Sequence, residues 1–347
     1  MKSNSILLLS GRWTVAAALW IICNTSYGQL DRVYTYDSTT ASAGKIENIS
    51  KNGVQLKVGS NTKNYVESEI RKITFQGDPR GLTVGRELAL DGQYEQALDE
   101  LKVLDLDSFK RNAARADAEY YRLLARAKLA LAGRGDRKAT IAEAINFAKN
   151  NQQSFHFYSV TRLLGDLNLA SGQFDEAVKF YGFLSRAPSA ESKIESRYLV
   201  GVASLEKKDM DAAKKAFGDV ASVDVSSDNA LRLKTLAKAG QAVVLANSDQ
   251  GDEAIKVVDG LIADLDPNDI EMAARIYNAQ GASYEAVNDI EGAILSYLHT
   301  HLMFSSQADA HAQALRRLVQ LWPKVGRAER AAAARQELKR RYPGFAN

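Results

Sequence analysis

Four histidines, His156, His299, His301 and His311, are the residues best suited to acid–base or metal chemistry in this chain. His299 and His301 lie two apart, and on a helix that spacing turns their rings to different sides, so they do not chelate together easily. Asp264–Asp269 reads DLDPND, an acidic run like the start of a calcium loop. It lacks the central glycine, and Arg275 stands where the bidentate glutamate belongs, so a turn at the end of a structural unit is the better reading. Arg134-Gly135-Asp136 spells an adhesion tripeptide inside GRGDRK, which reads as a solvated loop between helices. There is no phosphate loop of the Walker type and no GxSxG turn. These residues imply no catalytic constellation, no cofactor and no metal site, and hence a protein that is not an enzyme.

The elements that carry these residues begin with an export signal. Lys2 and Arg12 precede an apolar run, Trp13 to Cys23, and the small residues Ser26 and Gly28 follow. This predicts a secretory signal peptide over residues 1–28, cut after Gly28. A retained anchor is the rival reading, but the run is short against the ~20 residues of a membrane span. Ile22 stands where a lipobox wants a small residue before Cys23, so lipidation is not expected. Beyond residue 28 the chain has no cysteine, and 43 basic residues face 42 acidic ones. That is not the footprint of a nucleic-acid binder. From Arg316 to Arg341, however, nine basic residues meet only Glu329 and Glu337. This basic segment could contact a membrane surface or an acidic partner, or could be the polar outer face of a terminal cap.

Residues 29–78 read as a small antiparallel β-module. RVYTYD, GKIENIS, GVQLKVG and IRKITFQG are short runs rich in Val, Ile, Tyr and Thr. Val54, Leu56 and Val58 alternate with Gln55 and Lys57, as in a half-buried strand, and Asn52-Gly53 signals a hairpin. An SH3-like or Sm-like barrel is one form of such a module. Gly77-Asp78-Pro79 ends it, with Asp78 suited to cap a helix and Pro79 to its first turn.

From about residue 80 the period changes from two to 3.6, and residues 79–347 read as a mainly α array. GQYEQAL, Gly92 to Leu98, returns as GQFDEAV, Gly172 to Val178. The anchors Ala97 and Ala177 each follow an aromatic by three residues, Tyr94 and Phe174. Each precedes a bulky residue by four, Leu101 and Tyr181, and follows a glycine by twelve, Gly85 and Gly165. Ala213 repeats the frame with Gly201 and Phe217, and Ala293 with Gly281 and Tyr297. Ala254 has Val258, but Gly240 comes two residues early, which implies a longer turn there. Ala144 and Ala331 anchor divergent copies. Such a frame belongs to helix hairpins: glycine and alanine let two helices approach, and the bulky residue fills the gap to the next hairpin.

Leu164-Gly165, Gly172, Phe174, Ala177, Tyr181 and Pro188 follow the order of the tetratricopeptide repeat, and residues 80–341 resemble that family over about seven hairpins. Lys208 and Asn288 depart from it by replacing the turn glycine, and the opening tryptophan is missing. The resemblance implies a right-handed α-solenoid whose groove binds a protein or peptide. By that analogy Arg86, Arg162, Asp166, Tyr198, Gln241, Arg275 and Asn278 are groove positions on first helices. The expected function is a non-enzymatic interaction scaffold of a bacterial cell envelope, in the periplasm or envelope-associated. The alternative is an accessory whose β-module binds an envelope polymer or membrane component while the repeats act as a spacer.

Overall fold

The computed structural model describes residues 30–224, 227–266 and 268–342. The predicted signal peptide, its cleavage point, Cys23, Pro267 and Pro343 lie outside the described residues. Five strands come first: β1 (Asp31–Thr35), β2 (Ser42–Ser50), β3 (Gly53–Val58), β4 (Asn61–Val66) and β5 (Ile70–Thr74). They form one antiparallel sheet in the order β4-β3-β2-β1-β5. Val54 and Leu56 are buried while Gln55 and Lys57 are exposed, as their alternation predicts. The β2–β3 hairpin turns on Lys51 and Asn52, and Gly53 already pairs with Ser50. Gly53 has φ 144° and lies against the Tyr65 carbonyl, where a Cβ would collide.

The sheet is open rather than a barrel, because β4 and β5 stand at opposite ends of the strand order. Its apolar face does not need to close on itself. Val33, Leu56, Ile73 and Phe75 form one core with Ala114 and Phe155, which come from the helical region. Helices thus cover the surface that a barrel would bury internally.

Fourteen α-helices follow among the described residues, and they pair into seven hairpins. They are α1 (Arg80–Leu90), α2 (Tyr94–Lys102), α3 (Asn112–Leu131), α4 (Arg137–Asn150), α5 (Phe157–Ala170), α6 (Phe174–Phe183) and α7 (Ala190–Glu206). The second half is α8 (Met210–Ala221), α9 (Asp228–Ala246), α10 (Gly251–Ala263), α11 (Ile270–Ala286), α12 (Ile290–Met303), α13 (Ala308–Leu321) and α14 (Ala328–Arg341). The anchors Ala97, Ala144, Ala177, Ala213, Ala254 and Ala293 are all fully buried. A Cβ on Gly201 would lie 2.6 Å from the Phe217 ring, and one on Gly281 would lie 2.7 Å from the Tyr297 ring. Gly165 lies in the same way against Tyr181, so the glycine–bulky pairing is a steric fit.

Gly240 departs from the frame. It packs on Phe217 of the preceding hairpin, while Ala242, twelve before Ala254, is buried in its own. Asp78 departs from its expected role as well. Pro79 occupies the N-cap position of α1, and the Asp78 carboxylate instead accepts from the Phe75 N–H at 3.0 Å.

Lys208 (φ 66°) and Asn288 (φ 60°) adopt the left-handed conformation that Gly92 and Gly172 adopt in equivalent turns. A lysine pays a steric cost there that glycine does not, and Lys208 is exposed. Lys208→Gly is therefore expected to stabilise the protein by roughly 0.5–1 kcal/mol in urea unfolding. A loss of stability would mean that the turn is not under this strain.

Candidate functional site

First helices touch across hairpins: α1 meets α3, α3 meets α5, α7 meets α9, α9 meets α11 and α11 meets α13. They form the inner layer of the stack. A ladder of ion pairs crosses this layer. Arg162 on α5 meets Glu195 on α7 at 2.7 Å. Arg232 on α9 meets Asp269 at 3.1 Å and Glu271 on α11 at 2.8 Å. Arg275 on α11 meets Asp309 on α13 at 2.8 Å.

These groups influence one another beyond adjacent hairpins. Burial opposes the Arg162 charge, but Glu195, Asp166, Tyr181 and even Glu271 of α11 outweigh it and hold its pKa up. Burial also raises the Tyr198 phenol, which feels Arg275, Asp309, Glu271 and Arg232. Residues from α5, α7, α9, α11 and α13 thus converge on one electrostatic neighbourhood. Arg162 keeps half of its side chain exposed, and Arg275 about a third. The surface presents guanidiniums beside a larger set of carboxylates, all in reach of solvent.

Of the groove positions inferred from sequence, Arg162, Asp166, Tyr198 and Arg275 come together here. Asp166 accepts from the Tyr181 hydroxyl at 2.8 Å. Gln241 on α9 is half-buried and its amide approaches Gly218. Asn278 is buried and donates to the Ala310 carbonyl (2.9 Å) and to Gln313 (3.0 Å), tying α11 to α13. Arg86 is fully buried, and its guanidinium serves the interior rather than a groove.

No protein-family model and no curated protein matches the sequence. Solved structures do match. A tetratricopeptide repeat protein from Parabacteroides merdae superposes with a TM-score of 0.53 at 14% identity, covering 76% of this chain and 94% of its own. A Rap protein complexed with Competence and Sporulation Factor gives 0.53 at 14% identity, over 77% of this chain and 76% of that one. The helical region has the tetratricopeptide-repeat fold.

The N-terminal end of this tetratricopeptide solenoid is fastened to the sheet by buried charge. Arg86 donates to Asp117 through Nε (2.9 Å) and Nη2 (2.6 Å), and to Asp78 at 2.7 Å. His156 Nε2 lies 2.8 Å from the other Asp117 oxygen, and its ring stacks on Tyr120 at 3.6 Å. Arg111 grips Asp31 of β1 at 2.6 Å. Glu67 accepts from Ser189 and Ser192 at the start of α7, and Lys72 pairs with Glu87. The sheet is therefore built into the first repeats. Spacing within one segment does not reveal this network, although an arginine on the apolar side of α1 and an aspartate inside ARADAEYY are its traces.

Burial lowers the His156 pKa; Asp117 opposes the shift, and Arg86 adds to it. The unfolded chain binds this proton first as pH falls. The contribution is thus intact above the ordinary histidine value and is lost below it. Stability is expected to decline as pH falls below about 6.5, the ordinary histidine value. His156→Gln should flatten that part of the denaturant-midpoint profile, and an unchanged slope would refute the assignment.

At the C-terminal end, His301 does not pair with His299, which stacks on Tyr277 at 4.4 Å. It meets His311 instead: His301 Nδ1 lies 2.7 Å from His311 Nε2. The other functional-looking motifs have structural partners. Arg134 pairs with Glu95, Asp136 caps α4 at Ala139 (3.0 Å), and Asp269 caps α11 at Met272 (2.9 Å). In the basic segment, Arg317 pairs with Glu285 at 2.6 Å and Arg341 with Glu337 at 3.2 Å.

Proposed function

We propose that the protein is a non-enzymatic interaction scaffold of a bacterial cell envelope, whose inner face takes an extended peptide or a segment of a partner protein. The observation that carries this reading is the convergence of Arg162, Asp166, Tyr198, Arg275 and their carboxylate partners from successive first helices. Partly exposed ion pairs contribute only about 0–1 kcal/mol each to stability. Their concentration on one face is better explained as a set of groups that exchange partners when a polar chain docks. The Rap structure, solved with a bound factor, offers a precedent on the same fold. The apolar run with flanking Lys2 and Arg12 supports export. The spacer reading fits less well, because the sheet is wired into the first repeats by Asp31, Glu67 and Asp78.

A crosslinking pull-down of the tagged, exported full chain from envelope extracts tests the proposal. Arg162→Glu, a half-exposed position, is expected to reduce capture of a specific partner about tenfold or more without unfolding the protein. No partner retained at any salt, or equal capture by Arg162→Glu, would overturn it.

A further inference from the structure

His301, His311 and Glu337 bring one ligand atom each to within 4.8 Å of one another. They come from three helices of the last two hairpins: His301 from α12, His311 from α13 and Glu337 from α14. The hydrogen bonds around them define which lone pairs are available. The Tyr342 hydroxyl lies 3.5 Å from the Ser305 carbonyl. The same oxygen lies 2.7 Å from His311 Nδ1. In the tautomer in which His311 Nδ1–H donates to that hydroxyl, Nε2 carries a lone pair and faces His301 Nδ1 at 2.7 Å. His301 must then donate from Nδ1, so its own Nε2 also carries a lone pair. This nitrogen faces Glu337 Oε2 at 3.9 Å.

The three side chains are arranged as metal ligands are. His311 is fully buried and oriented by the Tyr342 hydroxyl, and the Glu337 carboxylate is oriented by Arg341, which holds Oε1 at 3.2 Å and leaves Oε2 free. Outer partners of this type set the tautomer and direction of ligating side chains. His301 and Glu337 retain roughly a fifth and a quarter of their exposure, so a fourth position can be water. A tetrahedral ion ~2.1 Å from each nitrogen holds the two about 3.4 Å apart, so His301 Nδ1 and His311 Nε2 need open by less than 1 Å once the proton between them moves to His301 Nε2.

We propose that His301, His311 and Glu337 form a site for a divalent transition-metal ion, with Zn2+ the best match, that clamps α14 onto α12 and α13. Two imidazoles and a carboxylate suit zinc and disfavour magnesium or calcium, which prefer all-oxygen shells. The clamp ties the α13–α14 hairpin to α12 of the hairpin before it.

Calorimetric titration of the metal-stripped full chain with ZnCl2 at pH 7.5 tests the site, with Co2+ as a spectroscopic probe. One equivalent of Zn2+ should bind, Co2+ should show the strong visible bands of a four-coordinate site, and excess Mg2+ should not compete. His301→Ala and Glu337→Gln, both at partly exposed positions where folding is safe, should each weaken binding more than tenfold. Tyr342→Phe should weaken it about tenfold by releasing the His311 tautomer. Absence of binding overturns the proposal, and so does Zn2+ uptake that these replacements leave unchanged.

Discussion

Replacing Arg86 by alanine is expected to lower the unfolding free energy by about 3–5 kcal/mol. The guanidinium is fully buried and is the counter-ion of both Asp78 and Asp117, whose side chains are 5% and 0% exposed. Removing it leaves two carboxylates in a low-dielectric interior. Asp78 is already pushed up by burial despite Arg86 beside it, so it would take up a proton rather than remain charged. The same replacement unfastens α1 from both α3 and the turn after β5. Equilibrium urea unfolding measures the loss, and the double variant Arg86→Met with Asp117→Leu should be far less damaged than the two single changes predict. Additive effects would mean that the charges do not act as a unit.

Phe217→Ala is expected to cost about 3–5 kcal/mol, and to do so locally. The ring is 1% exposed and is wedged between two glycines of successive hairpins, Gly201 on α7 and Gly240 on α9. Truncation opens a cavity that neither glycine can fill. Because each repeat contacts only its neighbours, the weakened junction should separate the array into two cooperative blocks. Amide exchange should therefore accelerate first in α7 to α10 and leave α1 to α3 protected. Uniform acceleration along the chain would contradict nearest-neighbour packing.

The architecture was legible wherever a pattern repeats. The switch of period near residue 80 coincides with α1 at Arg80, and the glycine–alanine–aromatic frame marks helix crossings that the structure places at Ala97, Ala177, Ala213 and Ala293. Repeated steric requirements leave repeated residues, so one chain reports on itself. The pairings between elements were not legible. Arg86 reaches Asp117 across 31 positions and His301 reaches His311 across ten, each from a different helix, so no spacing encodes them. Asp78 resembles a helix cap locally, yet the buried Arg86 claims it. Gly240 fits its own hairpin poorly because it serves Phe217 of the previous one. The candidate face was partly legible for the same reason. First-helix positions could be numbered from the frame, but only the stacking separates half-exposed Arg162 from buried Arg86 and Asn278.

The central claim, that the inner face carries partner binding, is tested most directly by photo-crosslinking in the source cells. A photoreactive residue replaces Arg162 on the inner face in one strain and exposed Lys179 on α6 in another. A discrete protein adduct from position 162 and none from position 179 is the predicted result. No adduct at 162, or the same adducts from both positions, would contradict the account.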